Sequence, residues 1–289
     1  LDAGVDWRRS RAGFLALMGP PLGWLLLFFL VPMAVVWAYS FGTNEGLADI
    51  RISGTFANYA RALEPLYLGI LAKSLAFAAL ATLICLVVGF PVALAISFAP
   101  RQQKSWLLIA VMLPFWTNLL IRTYALIGLL RDEGLINSAL AWSFGWAGFQ
   151  PLMMMNSNFA VMVGLVYVHL PFTVLPLYAA LDRLDRSLLE ASLDLGASHL
   201  ATIFHVVIPL AAGGIASAVL LTFIPVLGSY LAPDLLGGAD SQMIANVIER
   251  QFKRANDWPF GAALAFMLMY LTFIGIALQS ALRRREPPE

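Results

Sequence analysis

ILAKSLAFAALATLICLVVGFPVALAISF, residues 70–98, is the stretch whose reading decides the fold. It carries one charged residue, Lys73, and is apolar on every face. Crossing a hydrocarbon core about 30 Å thick takes about 20 helical residues, and this run exceeds that length. A transmembrane β-strand would be shorter and would alternate in polarity, so the run reads as a membrane helix. Working outward, comparable runs lie at 14–41, 105–130, 159–181, 210–231 and 259–282. Of the 289 residues, 60% are hydrophobic and 12% charged, whereas about a quarter are charged in soluble domains. Little polar linker separates the runs. The expectation is an all-α integral membrane protein with six transmembrane helices, forming a single domain over 1–289.

The first run is too long for a signal peptide and lacks a small-residue cleavage site, so it is expected to remain as a span, with Pro20 and Pro21 marking its start. Cys85, alone in the chain, is assigned to packing. A net charge of +1 gives no basic surface for nucleic acid. The cations instead report sidedness. Arg8, Arg9, Arg11, Arg101, Lys104, Arg183, Arg186 and Arg283 to Arg285 fall on one face, which the positive-inside rule places in the cytoplasm together with both termini. Between the third and fourth runs, a short helix over 135–146 is expected at the outer interface, anchored by Trp142 and Trp146.

The segment 182–209 has its own pattern. Leu184, Leu188, Ala191 and Leu195 recur at helical spacing, Gly196 suits a helix stop, and Ser198 can cap a second short helix running into Val207. On its own this is either an ordinary interfacial loop or a docking element.

The string EASLDLGASHLATIFHVVIPL, residues 190–210, resembles the EAA loop of type I ABC importer permeases. The matching positions are Glu190, Ala191, Gly196, Ile208 and Pro209, with Ser192 where the family has its second Ala. The resemblance covers nearly the whole chain and is greatest to the spermidine/putrescine-type permeases, specifically the first of their two permease subunits. Thr82, Gly89, Pro91, Ala93, Arg122, Thr123, Tyr124, Gly134, Ile136 and Asn137 match, as do LPFTVLPLY around Pro171 and Pro176, PDLLGG at 233–238 and DWPFGAA from Asp257. Two positions depart from many relatives. Ser229 stands where they have Glu, and Ala125-Leu126 where they have Ala-Trp.

The resemblance implies the type I permease fold and a cytoplasmic loop that couples the spans to an ATPase. It assigns that coupling to Glu190, Ala191, Ser192, Leu195, Gly196, Ala197 and Pro209. The implied partners are an ABC ATPase dimer, a second homologous permease, an extracytoplasmic solute-binding protein and membrane lipid. The implied location is the bacterial inner membrane. Residues independently fail to supply an ATP site. Of the three lysines, Lys73 and Lys104 precede Ser but lack the Gly that a phosphate loop needs, and Lys253 precedes Arg254. ATP and Mg are therefore expected on the partner, with no cofactor, metal or catalytic residue in this chain. His169, His199 and His205 are too scattered for a metal site.

Candidate pathway residues come from the membrane interior, where an ionisable side chain is a functional hypothesis by default. Arg122 either faces a pathway or snorkels toward Arg131. Asn118, at i−4, and Tyr124 could share its cavity, Phe115 and Trp116 could stack on a cation or simply pack, and Ser229 and Tyr230 could line the pathway. His169 is expected to be a hydrogen-bonded packing residue. The expected function is alternating-access import of a small solute, foremost a polyamine. The alternatives are an amino acid derivative, an oxyanion or a metal complex, or a secondary transporter. The last would need intramembrane acids or inverted halves, which the sequence does not display.

Overall fold

The computed structural model describes residues 11–46, 50–144, 146 and 150–283. Of the cations used to read orientation, Arg8, Arg9, Arg284 and Arg285 lie outside the described residues. Four helical segments, Gly13–Tyr39, Pro65–Phe98, Asn158–Leu181 and Trp258–Ala277, are long and apolar enough to cross a membrane. Two bent pairs bring the number to six if each pair is one span.

The described residues form two compact units. One takes the residues up to Glu64 together with Ile248–Ile274; the other takes Pro65–Val247 and the end of the last helix from Gly275. In the first unit, α1 (Arg11–Leu25) passes through a π-helical turn, Leu26–Leu30, into α2 (Val31–Tyr39). Pro20 and Pro21 lie inside α1, about two turns into the span that begins at Gly13, rather than at its start. A membrane helix tolerates them because its termini and neighbours can absorb the freed carbonyls. The π turn ends just before Pro32, whose ring would clash with a carbonyl one turn back in a regular α-helix.

Past α2, the strands β1 (Gly42–Asn44) and β2 (Ile50–Ile52) pair antiparallel, with Thr43 opposite Arg51. This hairpin was not expected from the sequence, because three-residue strands carry too little alternation to read. The short helix α3 (Ala57–Ala62) closes the unit's polar side. Asn58 Nδ2 donates to the carbonyls of Ser40 and Gly42, at 3.0 and 2.8 Å, and Arg61 pairs with Asp257 at 2.8 Å while its guanidinium lies 3.9 Å from the Phe260 ring centre. Within the same unit Trp37 Nε1 donates to Tyr270 Oη at 2.7 Å.

The second unit is built on α4 (Pro65–Phe98), α8 (Asn158–Leu181) and α12 (Ala212–Leu227), which pack against one another. Lipid supplies no hydrophobic drive between helices, so small residues must let the backbones approach. Ala78, Ala81, Ala93 and Ala218 are fully buried, and a Cβ added at Gly214 would collide with that of Ala180. One polar pair sits in this interface: Thr173 and Thr222 hydroxyls, both fully buried, lie 2.6 Å apart.

The third expected span, 105–130, is not one helix. It comprises α5 (Arg101–Met112), a 3-10 turn at Leu113–Trp116 and α6 (Leu119–Leu130), with a 93° bend between Arg101–Trp116 and Leu119–Phe144. Pro114 removes an N–H, Thr117 turns to extended backbone, and the Asn118 side chain accepts from Leu120 N at 2.8 Å, starting a new helix. The connection to the fourth span contains α7 (Leu135–Phe144), with Trp142 and Trp146 exposed; Gly145 and Gly148 lie outside the described residues. Asn137, buried in α7, reads the far loop like a backbone partner: it accepts from Leu152 N at 2.9 Å and donates to Leu152 O at 3.0 Å.

Likewise the fifth span runs from Ala212 to Leu227, shorter than expected, and is bent by 73° from the segment preceding it. It ends at Gly228; α13 (Leu231–Leu236), a 3-10 turn at Ala239–Ser241 and α14 (Ile244–Lys253) follow, leading to the last helix, α15 (Trp258–Arg283).

Candidate functional site: the coupling loop and the broken third span

Between α8 and α12 the chain forms α9 (Arg186–Asp194) and α10 (His199–Thr202), and then a π turn, Ile203–Val207, and α11 (Ile208–Leu210). Each start and stop has a chemical cause. Asp185 caps α9 by accepting from Ser187 N at 3.0 Å, a bond that holds its carboxyl below the ordinary range. Ser198 caps α10 through Ala201 N at 3.2 Å. Between them Gly196 adopts φ +86°, and paired bonds from Gly196 N to Leu193 O (2.9 Å) and Ala197 N to Ser192 O (3.2 Å) close a Schellman motif. A Cβ at Gly196 would meet nothing within 4 Å, so conformation rather than crowding selects glycine here.

The two faces of α9 differ. Leu184 and Leu189 rest on the buried cluster of Ala93, Ile96, Val174, Leu177, Leu181 and Val207, rooting the loop in the spans. Leu188, Ala191 and Leu195 form an exposed stripe on another face, with Leu195 89% exposed, while Glu190 lines a pocket together with Arg186, Leu189 and Leu193. Ser192 has a local use. Its hydroxyl lies 3.0 Å from that of Thr202 and ties α9 to α10, an interaction that Ala could not make. Pro209 lies in α11 directly after the π turn, so the link from loop to fifth span is a bent joint and not a straight rod.

Sequence reasoning missed the loop's other anchor. Lys104 of α5 pairs with Asp182 at 2.5 Å, Tyr178 Oη donates to the second Asp182 oxygen at 3.3 Å, and Arg186 Nη2 donates to Ser97 O at 3.3 Å. The hydrogen bond from Lys104 holds the Asp182 carboxyl below its ordinary range. The partners are 78 and 89 residues apart, and the only signal was the clustering of charge at the ends of spans.

At the break in the third span, Arg122 is 6% exposed. Its Nη2 donates to Thr117 O at 3.0 Å, its guanidinium lies 5.7 Å from the Phe115 ring centre, and its Nε is buried with no partner. The side chain folds back over the break instead of reaching outward. Phe115 packs edge-on against Phe172 at 5.2 Å, while Trp116 and Tyr124 are exposed. Asn118 is the cap of α6, its side chain accepting from Leu120 N, and its carbonyl accepts from Arg122 N at 3.0 Å. His169 is buried, with Nδ1 2.8 Å from Leu165 O. Ser229 and Tyr230 lie beyond the end of α12, where Tyr230 O accepts from Asn246 Nδ2 at 2.7 Å. Among the described residues no three His, Cys, Asp or Glu side chains converge as metal ligands.

The family profile described as "Binding-protein-dependent transport system inner membrane component" matches residues 14–286. The chain belongs to this family. This permease is 42% identical over 247 residues to the spermidine/putrescine transport system permease protein PotB of Escherichia coli (strain K12), covering 86% of this chain and 89% of that one. It is 40% identical over 248 residues to the protein of the same name from Haemophilus influenzae, covering 86% of each. Its fold matches that of a chain in the crystal structure of a bacterial alginate ABC transporter in complex with an alginate pentasaccharide-bound periplasmic protein, with a TM-score of 0.78 over 97% of both chains at 16% identity. The permease thus has the type I ABC importer fold and is a membrane-spanning component of a bacterial binding-protein-dependent importer.

Proposed function

We propose that this permease forms half of the pathway of a polyamine importer, pairing with a second homologous permease above an ATPase dimer and receiving cargo from an extracytoplasmic binding protein. The observation that carries the cargo is the 42% identity, over most of both chains, to spermidine/putrescine permeases. The exposed stripe of Leu188, Ala191 and Leu195 supports the ATPase contact, because an exposed apolar helix face fits a groove on a soluble partner, and Glu190, exposed on a different face of α9, adds a charge at its edge.

In this reading ATP and Mg belong to the partner, and this chain contributes no catalytic group. Closure of the ATPase pair moves α9; Leu184 and Leu189 transmit the movement to the cluster shared by α4 and α8, and the bent joint at Pro209 transmits it to α12. The loop, with Arg101, Lys104, Arg183 and Arg186 nearby, faces the cytoplasm, as do both termini. Ser229, in place of the Glu of many relatives, favours a second reading in which the same machine takes another small solute.

The test copurifies the tagged chain with its native partners and measures ATPase stimulation by candidate cargoes together with the binding protein. Stimulation by spermidine or putrescine is expected. Stimulation by an oxyanion or amino acid derivative alone would replace the polyamine, and solute movement by the chain without an ATPase would remove the importer mechanism.

A further inference from the structure

A cavity of about 570 Å³ opens where the end of α4, the start of α5 and the end of α8 meet, and its lining includes Arg101, Lys104, Tyr178, Asp182 and Arg186. Three cations face one carboxylate, and that carboxylate is already engaged on both oxygens, by Lys104 and by Tyr178. Among the described residues neither Arg101 nor Arg186 has a carboxylate at ion-pairing distance. The cavity therefore holds excess positive charge.

Two further features bear on what would neutralise it. Pro100 precedes α5 without a capping side chain, so the positive end of a twelve-residue helix opens at Arg101. The wall is also partly apolar, with Phe98 and Leu108, and Trp106, 74% exposed, lies just along α5. Exposed tryptophan next to arginine and lysine at the ends of apolar helices is the composition of a headgroup-level surface. Basic pockets between membrane helices hold phospholipid headgroups on this chemistry.

We infer that this cavity binds the phosphate of an anionic phospholipid, held by Arg101 and Arg186 at the α5 N-terminus. Arg186 is also the first residue of α9, so the bound headgroup would sit at the root of the coupling helix and bias its position through lipid composition. The inference rests on the chain's being a membrane permease and not on the identity of its cargo.

The full chain, purified with its copurifying partners and delipidated, is titrated with phosphatidylglycerol or phosphatidylcholine, and retained lipid is read by native mass spectrometry. Preferential retention of phosphatidylglycerol is expected. Arg101→Gln should weaken it about fivefold, the effect of one cation near the surface. Asp182→Asn should strengthen it, because it frees Lys104. Loss in both variants would mean a merely structural role and would overturn the site, as would equal retention of the two lipids. Arg51→Gln, an exposed cation paired with Glu45 in the other unit, should change nothing; a drop equal to that of Arg101→Gln would reduce the effect to bulk charge. Inorganic phosphate added alone distinguishes the sources. Displacement of the lipid at matched concentration would make the occupant a free anion and overturn the lipid. Since the readout is bound lipid, failure here leaves the polyamine reading standing.

Discussion

Gly196 holds the only left-handed backbone in the coupling loop, and an L side chain there costs roughly 1–2 kcal/mol. That is enough to unwind the Schellman motif and misdirect α10 while the spans still insert. Gly196→Val is therefore expected to reduce ATP-driven uptake several-fold with normal membrane levels, measured by radiolabelled transport and immunoblotting; full uptake would deny the loop its mechanical role. Arg122 poses a different case. A guanidinium that is 6% exposed and satisfied at one nitrogen is held by the bend it covers, so Arg122→Ala should impair uptake without releasing the ATPase. Unimpaired transport with intact assembly would leave it a packing residue. For Lys104–Asp182 the sign of the pH effect follows from the direction of the shift. The Asp182 pKa lies below its ordinary 3.8, so the pair's contribution is complete above that value and fades only as pH falls through the lower, folded one. Being partly exposed, the pair contributes under about 1 kcal/mol. The stability difference between wild type and Lys104→Met, read by thermal unfolding, should accordingly be flat from about pH 5 to 8.

At the level of helices, the α8–α12 contact isolates a polar pair in an apolar seam. Removing the Thr222 hydroxyl leaves Thr173 only the weak Cys85 thiol as a partner, so Thr222→Val should cost about 1–3 kcal/mol, whereas the double change with Thr173→Val should recover most of that, because both hydroxyls then vanish together. A thermal double-mutant cycle reads this directly, and additive losses would rule out the pair. Long apolar runs such as 70–98 were legible because no soluble alternative tolerates them. Helix caps and the stop in the coupling loop were legible as well, since Ser198 and Gly196 act on their immediate neighbours. The breaks were not. Pro114 in an apolar run reads like any tolerated membrane proline, and only the conjunction of Thr117 turning extended with Asn118 capping α6 makes a bend of 93°. Contacts such as Lys104 with Asp182 join distant segments, which a local pattern cannot announce.

For the protein as a whole, the helices α1, α2, α4, α5, α6, α8, α12 and α15 carry no aspartate or glutamate, Asp132 and Glu133 following only after the end of α6, so a cationic cargo finds no fixed counter-charge within these helices. Discrimination is then expected outside the bilayer. In a reconstituted importer, ATPase stimulation should follow the cargo range of whichever cognate binding protein is supplied. A mutation that narrows the binding protein to putrescine should narrow transport equally; retention of spermidine transport would place selectivity in the pathway after all.

The π turn before Pro32 carries a consequence for how the first span meets its surroundings. Five residues, Leu26–Leu30, occupy a loop of helix that ordinarily holds fewer, which amounts to one surplus residue wedged into the cylinder. Everything beyond it is rotated by about 100° against the phase set by α1. Were the same residues wound as a regular α-helix, Trp37 would turn away from Tyr270 by that angle, whereas excising one leucine along with the wedge would leave it in place, so the single-residue phase slip decides which flank of this helix the rest of its unit can grasp.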